Sequence, residues 1–149
     1  MLPTGDKKLG FSDDTVGYQV NLPFSTALGD RWFAHLNAGL TYLPEASSRP
    51  TRDLLHYNGG ASVIYAATRN THFLLEWIGN WNELADPGLP SERHFASVIS
   101  PGVRHAFNFA GQSQLVVGLA APVGLTAPAP DYGVFLYLSF EHGIRRRVK

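Results

Sequence analysis

The sequence predicts an all-β fold, an antiparallel up-and-down meander of about seven strands that forms part of a transmembrane β-barrel. Three observations predict it. Apolar residues alternate with small or polar ones at a period of two along most of the chain, which marks strands with two different faces and which a helix cannot produce. Charged residues make up only 16% of the 149 residues, against ~25% in ordinary soluble domains, while glycine (15 copies) and aromatics (12%) are plentiful. The longest nearly uncharged apolar stretch, Leu115 to Ala127, is too short for a membrane-spanning helix and contains Pro122. Any membrane role falls to strands.

The strands read in order as follows. The first sets Val16, Tyr18, Val20, Leu22 and Phe24 against Gly17, Gln19, Asn21 and Ser25. The second, about Trp32 to Tyr42, sets Trp32, Leu36 and Leu40 against His35, Asn37 and Thr41. In the third, Leu55, Tyr57 and Val63 oppose His56, Asn58 and Ser62, and in the fourth Phe73, Leu75, Trp77 and Trp81 oppose His72, Glu76 and Asn80. The fifth sets Phe95, Ile99, Val103 and Phe107 against His94, Ser100, Arg104 and Asn108. The sixth runs from Leu115 to Leu125 with Val117, Leu119 and Val123 on one face, and the seventh sets Val134, Leu136, Leu138 and Phe140 against Tyr137, Ser139 and Glu141.

The connections alternate in length. Leu28 to Arg31, Arg69-Asn70 and Ala110 to Gln112 read as tight turns, rich in residues that tolerate positive φ. Pro44 to Arg52 and Glu83 to Arg93 are longer and proline-bearing, and Thr126 to Asp131 is intermediate. Short turns at one end and long loops at the other are the arrangement of outer-membrane barrels. The seven strands make an odd number, and bacterial single-chain barrels have even ones. The opening residues also lack the apolar segment of a secretion signal. Both features lead to the expectation that the chain is the C-terminal portion of a larger barrel, a single domain ending in a basic tail over 143–149.

Face composition sets the orientation. The uniformly apolar faces carry no Asp, Glu, Lys or Arg, and His105 is the one histidine there, as a lipid-facing surface requires: a charge at the bilayer midplane costs roughly 2–4 kcal/mol. Val20, Leu36, Val63, Leu75, Ile99, Leu119, Leu136 and Leu138 are therefore assigned to lipid. Gln19, Asn21, His35, Asn37, His56, Glu76, Arg104, Tyr137 and Glu141 are assigned to the lumen. Aromatics gather toward the strand ends, with Phe24, Trp32, Tyr65, Phe73, Phe107 and Phe140 near the tight turns and Tyr18, Tyr42, Tyr57, Trp81 and Phe95 near the long loops. Amphipathic rings favour the two membrane interfaces.

Several segments carry a resemblance: Leu75 to Asn80, Ser100 to Arg104, Val117 to Leu125, the closing Gly133 to His142, and the opening Leu2-Pro3-Thr4-Gly5-Asp6. Together these resemble the C-terminal half of the meta-pathway of phenol degradation family, a group of outer-membrane transporter-like proteins. The resemblance implies a porin-like barrel in a Gram-negative outer membrane and a role in uptake of hydrophobic or aromatic compounds. It supplies no catalytic residues. The last strand, ending near Phe140, also resembles the signal read by the barrel-assembly machinery, although this chain continues through a further basic segment.

Other chemistries find little support. With no cysteine there is no disulfide scaffold, thiolate ligand or cysteine nucleophile. Zero net charge offers no field for nucleic acid. The four inward histidines sit on separate strands without metal-ligand spacing. Ser97, Ser100 and His94 share a strand but no evident triad. The expectation is thus a non-enzymatic barrel without cofactor or metal, whose partners are outer-membrane lipids, the assembly machinery and a small solute. Glu76, Arg104 and Glu141 would form either a lumen ion-pair network or a selectivity constriction, or else a purely structural salt bridge. Two other readings stand beside this one: a soluble calycin-like ligand-binding barrel with its apolar faces turned inward, and a non-transporting structural outer-membrane barrel.

Overall fold

In a computed structural model the described residues are 15–46, 52–84, 92–110 and 113–142. They form one all-β antiparallel sheet of β1 (Tyr18–Ala27), β2 (Trp32–Ala46), β3 (Arg52–Ala66), β4 (Thr71–Leu84), β5 (Glu92–Phe109), β6 (Ser113–Ala120), β7 (Val123–Gly124) and β8 (Phe135–Glu141). Neighbours in the sheet follow chain order, β1-β2-β3-β4-β5-β6-β8, with β7 paired to β5. The opening segment before Thr15, the basic tail, Gly111-Gln112 and the centres of the two long loops lie outside the described residues.

Two expectations are corrected. The sixth strand is not continuous. β5 has 18 residues, and it pairs β6 over Gly102–Phe109 and β7 at Val98 and Ile99. Between them the ladder breaks at Ala121-Pro122, because Pro122 has no N–H to donate; only the Ala121 N–H reaches across, to the Pro101 carbonyl at 2.9 Å. The turn after β7 then folds back tightly. Gly124 N–H donates to Asp131 O (3.0 Å), Leu125 N–H to Ser97 O (2.7 Å) and Gly133 N–H to Pro122 O (2.9 Å). The second correction concerns the long loops, which are shorter than expected: β2 continues to Ala46 and β4 to Leu84.

The turns follow from their residues. Gly29 adopts φ 88°, open to glycine at no steric cost, and Leu28 N–H closes the β1–β2 turn on Trp32 O at 2.8 Å. At the β3–β4 turn the Thr68 hydroxyl accepts from the N–H groups of Asn70 (3.2 Å) and Thr71 (2.9 Å). At the opposite end, β2 carries a bulge between Leu43 and Ala46, with Glu45 at φ 50°. Asp53 secures it, accepting from the Glu45 N–H at 3.0 Å and from the Tyr42 hydroxyl at 2.8 Å.

No second layer covers the sheet among the described residues. Among the described residues the buried hydrophobics are small or few: Leu43, Ala46 and Leu54 form one cluster at the long-loop end, with Ile64 and Ala129 apart from it. Along β2 the alternation is inverted relative to a soluble sheet: Leu36, Ala38, Leu40 and Tyr42 are exposed, whereas His35, Asn37, Gly39 and Thr41 are half-covered. Leu22 is 75% exposed, and Leu136 and Phe140 are 67% exposed.

The apolar face does pack on itself laterally. Leu22, Ala38, Gly59, Gly79 and Ser97 form one row across five strands, small at every position but Leu22. Large rings from the adjoining rows lean over it: a Cβ at Gly59 would lie 3.5 Å from Trp81, and one at Gly79 would lie 2.9 Å from Trp77 and 3.0 Å from Phe95. Aromatic cover of glycines in this way restores contacts the missing side chains cannot make. Trp81 stacks on Phe95 at 4.6 Å, and the Trp77 indole N–H donates to buried Ser97 Oγ at 2.9 Å.

Two outcomes test this packing. Gly79→Ala must displace two rings and is expected to cost about 1–3 kcal/mol, whereas Gly59→Ala meets ordinary contact distance and should be near neutral; urea titration followed by tryptophan emission compares them. At the bulge, the Glu45 N–H and the Tyr42 hydroxyl hold the Asp53 carboxyl below its ordinary value of 3.8. A depressed folded-state pKa contributes stability above the unfolded value that is lost as pH falls through the folded one. The Glu45 amide should therefore exchange several-fold faster in Asp53→Ala than in the parent at neutral pH, and the difference should vanish in acid once Asp53 is protonated.

Candidate functional site

Strand register decides which side chains share a face. The nine residues assigned to the lumen from sequence all fall on one face, and the eight assigned to lipid all fall on the other. The polar-face rows run Gln19, Thr41 and His56; then Asn21, Gly39, Asn58 and Asn80; then Ser25, His35, Ser62, Glu76 and Ser100; then His72, Arg104, Gly118 and Tyr137. Glu141 stands apart, opposite Gln114 near the tight-turn end. The depressions of the sheet that hold these side chains open on this face.

The long-loop half of the face is neutral and amide-rich. Asn58 donates to Asn21 Oδ1 at 3.2 Å and Asn37 donates to the same oxygen at 3.5 Å. Glycine makes this possible: a Cβ at Gly39 would lie 2.1 Å from Asn21 Oδ1 and 2.3 Å from Asn58 Oδ1. The two amides thus meet directly over the backbone of β2. His56 Nδ1 lies 3.2 Å from Asn82 Oδ1. A carbonyl oxygen only accepts, so in this bond Nδ1 donates, and the other ring nitrogen is Nε2. That Nε2 is buried and has no hydrogen-bond partner among the described residues. A depression of about 520 Å³ lies over these groups.

The tight-turn half is different. Arg104 Nε donates to His72 Nδ1 at 3.1 Å, and a depression of about 380 Å³ beside it also takes in Glu76, Ser100 and Tyr137. The expected network of Glu76, Arg104 and Glu141 is corrected: among the described residues no ion pair joins Arg104 to either carboxylate. Register explains it, since Arg104 faces His72 while Glu76 faces Ser100, two rows away on the same face. Arg93 pairs with Glu83 (3.9 Å) at the long-loop end, where His94 Nε2 also lies 3.6 Å from a Glu92 carboxylate oxygen. There Arg93 also lies over the Tyr57 ring at 5.2 Å.

The histidines are separated and locally engaged. His35 Nδ1 pairs with Ser25 Oγ at 2.8 Å and His105 Nδ1 with Thr71 Oγ1 at 2.8 Å. Ser97 lies on the apolar face and Ser100 on the opposite one, so β5 does not converge Ser97 on His94.

The polar face also holds a band that alternation concealed. Phe33, Ile64, Leu74, Ala120 and Phe135 occupy one row across it, between the Glu76 and Arg104 rows. Ile78 and Val98 form part of another. The signal was present in Phe73-Leu74-Leu75 and Val63-Ile64-Tyr65, where apolar residues run on both faces. Such continuous runs mark rows apolar on both sides. Comparison with protein families, with curated proteins and with solved structures finds no match to this chain.

Gly39→Ala should force the Asn21 and Asn58 amides apart while leaving the backbone in place, because the clash is with flexible side-chain ends. The expected loss is about 0.5–1.5 kcal/mol, one net hydrogen bond, read in a denaturant titration against Asn58→Ala, with which it should be non-additive.

Proposed function

We propose that this sheet is part of the wall of an outer-membrane β-barrel, with the face of Leu36 and Leu136 in hydrocarbon and the face of Asn58 and Arg104 lining a lumen that passes small solutes. The observation that carries the reading is the inverted exposure of a single-layered sheet. Fully burying a leucine stabilises by about 1.5–3 kcal/mol, and an eight-stranded sheet with its leucines outermost gains that only from an apolar surrounding. Acyl chains provide one.

Two further features support the reading. Aromatic rows stand at two levels of the apolar face, Tyr57-Trp81-Phe95 and Trp32-Tyr65-Phe73. On β3 they are separated by Tyr57 to Tyr65, about 27 Å along a strand at ~3.4 Å per residue. At a tilt near ~40° this is roughly 20 Å along the normal, close to the ~25 Å apolar band of such barrels. The edges form the second feature. Along the path β1-β2-β3-β4-β5-β6-β8 each step is antiparallel, so β1 and β8 run the same way. An all-antiparallel barrel that includes this sheet closes with an odd number of additional strands. The resemblance noted above is in keeping with a solute of hydrophobic or aromatic type. A soluble ligand carrier would turn its apolar side chains inward, and the exposure along β2 runs the other way.

The test is a matched pair of charges on adjacent residues. Leu136→Arg places a guanidinium on the proposed lipid face and should block assembly into liposomes, at a cost of up to roughly 2–4 kcal/mol. Tyr137→Arg should assemble nearly as the parent does. Equal tolerance at both positions, or a chain that stays monomeric in buffer without amphiphile, overturns the reading.

A further inference from the structure

The tight-turn half of the polar face holds a cation that the sheet does not neutralise. Arg104 donates through Nε to His72 Nδ1 at 3.1 Å, and no ion pair joins it to a carboxylate among the described residues. Its two Nη groups make no hydrogen bond there either. Since His56 Nε2 is the only buried side-chain nitrogen or oxygen without a partner among those residues, the Nη groups of Arg104 are open to the face. The depression of about 380 Å³ beside them is lined by Leu74, Glu76, Ser100, Arg104, Phe135 and Tyr137 among others. Next to the row of Arg104 runs the row of Leu74, Gly102, Ala120 and Phe135, and Phe135 is 67% exposed. Gly118 stands between Arg104 and Tyr137, and Gly102 between Leu74 and Ala120, so two absent side chains leave the floor of the depression open.

We propose that this depression binds a small organic monoanion, a carboxylate carrying an apolar body. The Nη edge of the guanidinium can donate to both carboxylate oxygens at once, while the row of Leu74 and Phe135 takes the body out of water. His72 fixes the guanidinium through Nε and leaves that edge for the anion. Two features narrow the class. Glu76 lines the far end of the depression, two rows from Arg104, and repels a second negative charge. It is exposed, with no hydrogen bond or ion pair to fix it among the described residues, so water and salt screen its pull on a cation. Arg104, by contrast, is half-buried and held in place. An inorganic anion would leave Leu74 and Phe135 uncovered. This inference rests on the reading of that face as a lumen and adds the charge class of the solute met at one level of it.

The experiment follows the backbone amides of Gly102 and Gly118, both in the lining, by proton–nitrogen correlation NMR of the full chain in nonionic-detergent micelles, alongside a liposome-insertion assay. The probes at neutral pH are hexanoate, its neutral counterpart hexanamide, hexylamine and acetate. Hexanoate should bind roughly tenfold more tightly than each of the others, which lack either the hydrogen bonds to a charged group or the apolar contact. Arg104→Gln should abolish the preference for hexanoate over hexanamide. Arg104→Lys, which keeps the charge and loses the fork, should retain part of it. Phe135→Ser should weaken hexanoate roughly three- to tenfold and leave acetate unchanged. A folded Arg104→Gln that keeps the preference overturns the proposal, as does a folded Phe135→Ser that binds hexanoate as the parent does. So does hexanamide or hexylamine binding as tightly as hexanoate. A chain that inserts into liposomes yet shows no hexanoate-dependent shift at either glycine removes the site and leaves the barrel wall standing. A chain that remains in the aqueous phase removes the lumen reading and the site with it.

Discussion

One constraint organises this molecule: among the described residues nothing packs against its apolar face. In a sandwich or a soluble barrel a second layer or the far wall covers such a face. Here the row of Phe24, Leu36, Ala61, Trp77, Ile99 and Val123 crosses the sheet with its larger side chains open or half-open. Leaving Leu22, Leu36, Leu136 and Leu138 in water would forgo about 1.5–3 kcal/mol each. That sum is comparable with the entire ~5–15 kcal/mol stability of an ordinary domain. The remaining features follow from that need. Charge is scarce, glycines accept rings from neighbouring rows, and the connections hold the strands edge to edge rather than fold them over one another.

The polar face answers a different demand. A half-covered face must satisfy its own hydrogen-bonding groups, and the two ends do so with different chemistry. Toward the long loops, asparagines bond one another across Gly39, a neutral arrangement with little desolvation cost. Toward the tight turns, the cation of Arg104 is engaged through Nε by a histidine nitrogen rather than a carboxylate. Between them run rows that include Ile78 and Leu74. From the long loops to the tight turns the face presents neutral amides, then the rows of Ile78, Glu76 and Leu74, and then a guanidinium.

Much of this was legible in the alternation of residues, and the limits of that legibility have physical causes. Period-two patterning assigns Leu36 and Asn37 to opposite faces because successive Cβ atoms point oppositely in any strand. It says nothing where both neighbours are apolar, which is why the row of Ile64 and Leu74 escaped it. Nor does it locate a ladder break: Pro122 removes one donor, but only the pairing of Val123 with Ile99 shows that the strand resumes on the same partner. The Glu76–Arg104 pair looked natural because the two residues share a face. The row of Leu74 and Gly102 lies between them and keeps them two rows apart on adjacent strands.

By itself, the sequence determined the all-β class of fold, the two faces of every strand and the turns at Gly29 and Arg69-Asn70, because these depend on backbone geometry and on residues adjacent in the chain. Only the tertiary structure decided which rows become neighbours: Asn21 with Asn58, the tryptophans over Gly59 and Gly79, His56 against Asn82, and the parallel sense of the two edges. Those juxtapositions join residues far apart in the chain, and they follow from register. Turn geometry and cross-strand packing set register across the whole sheet at once.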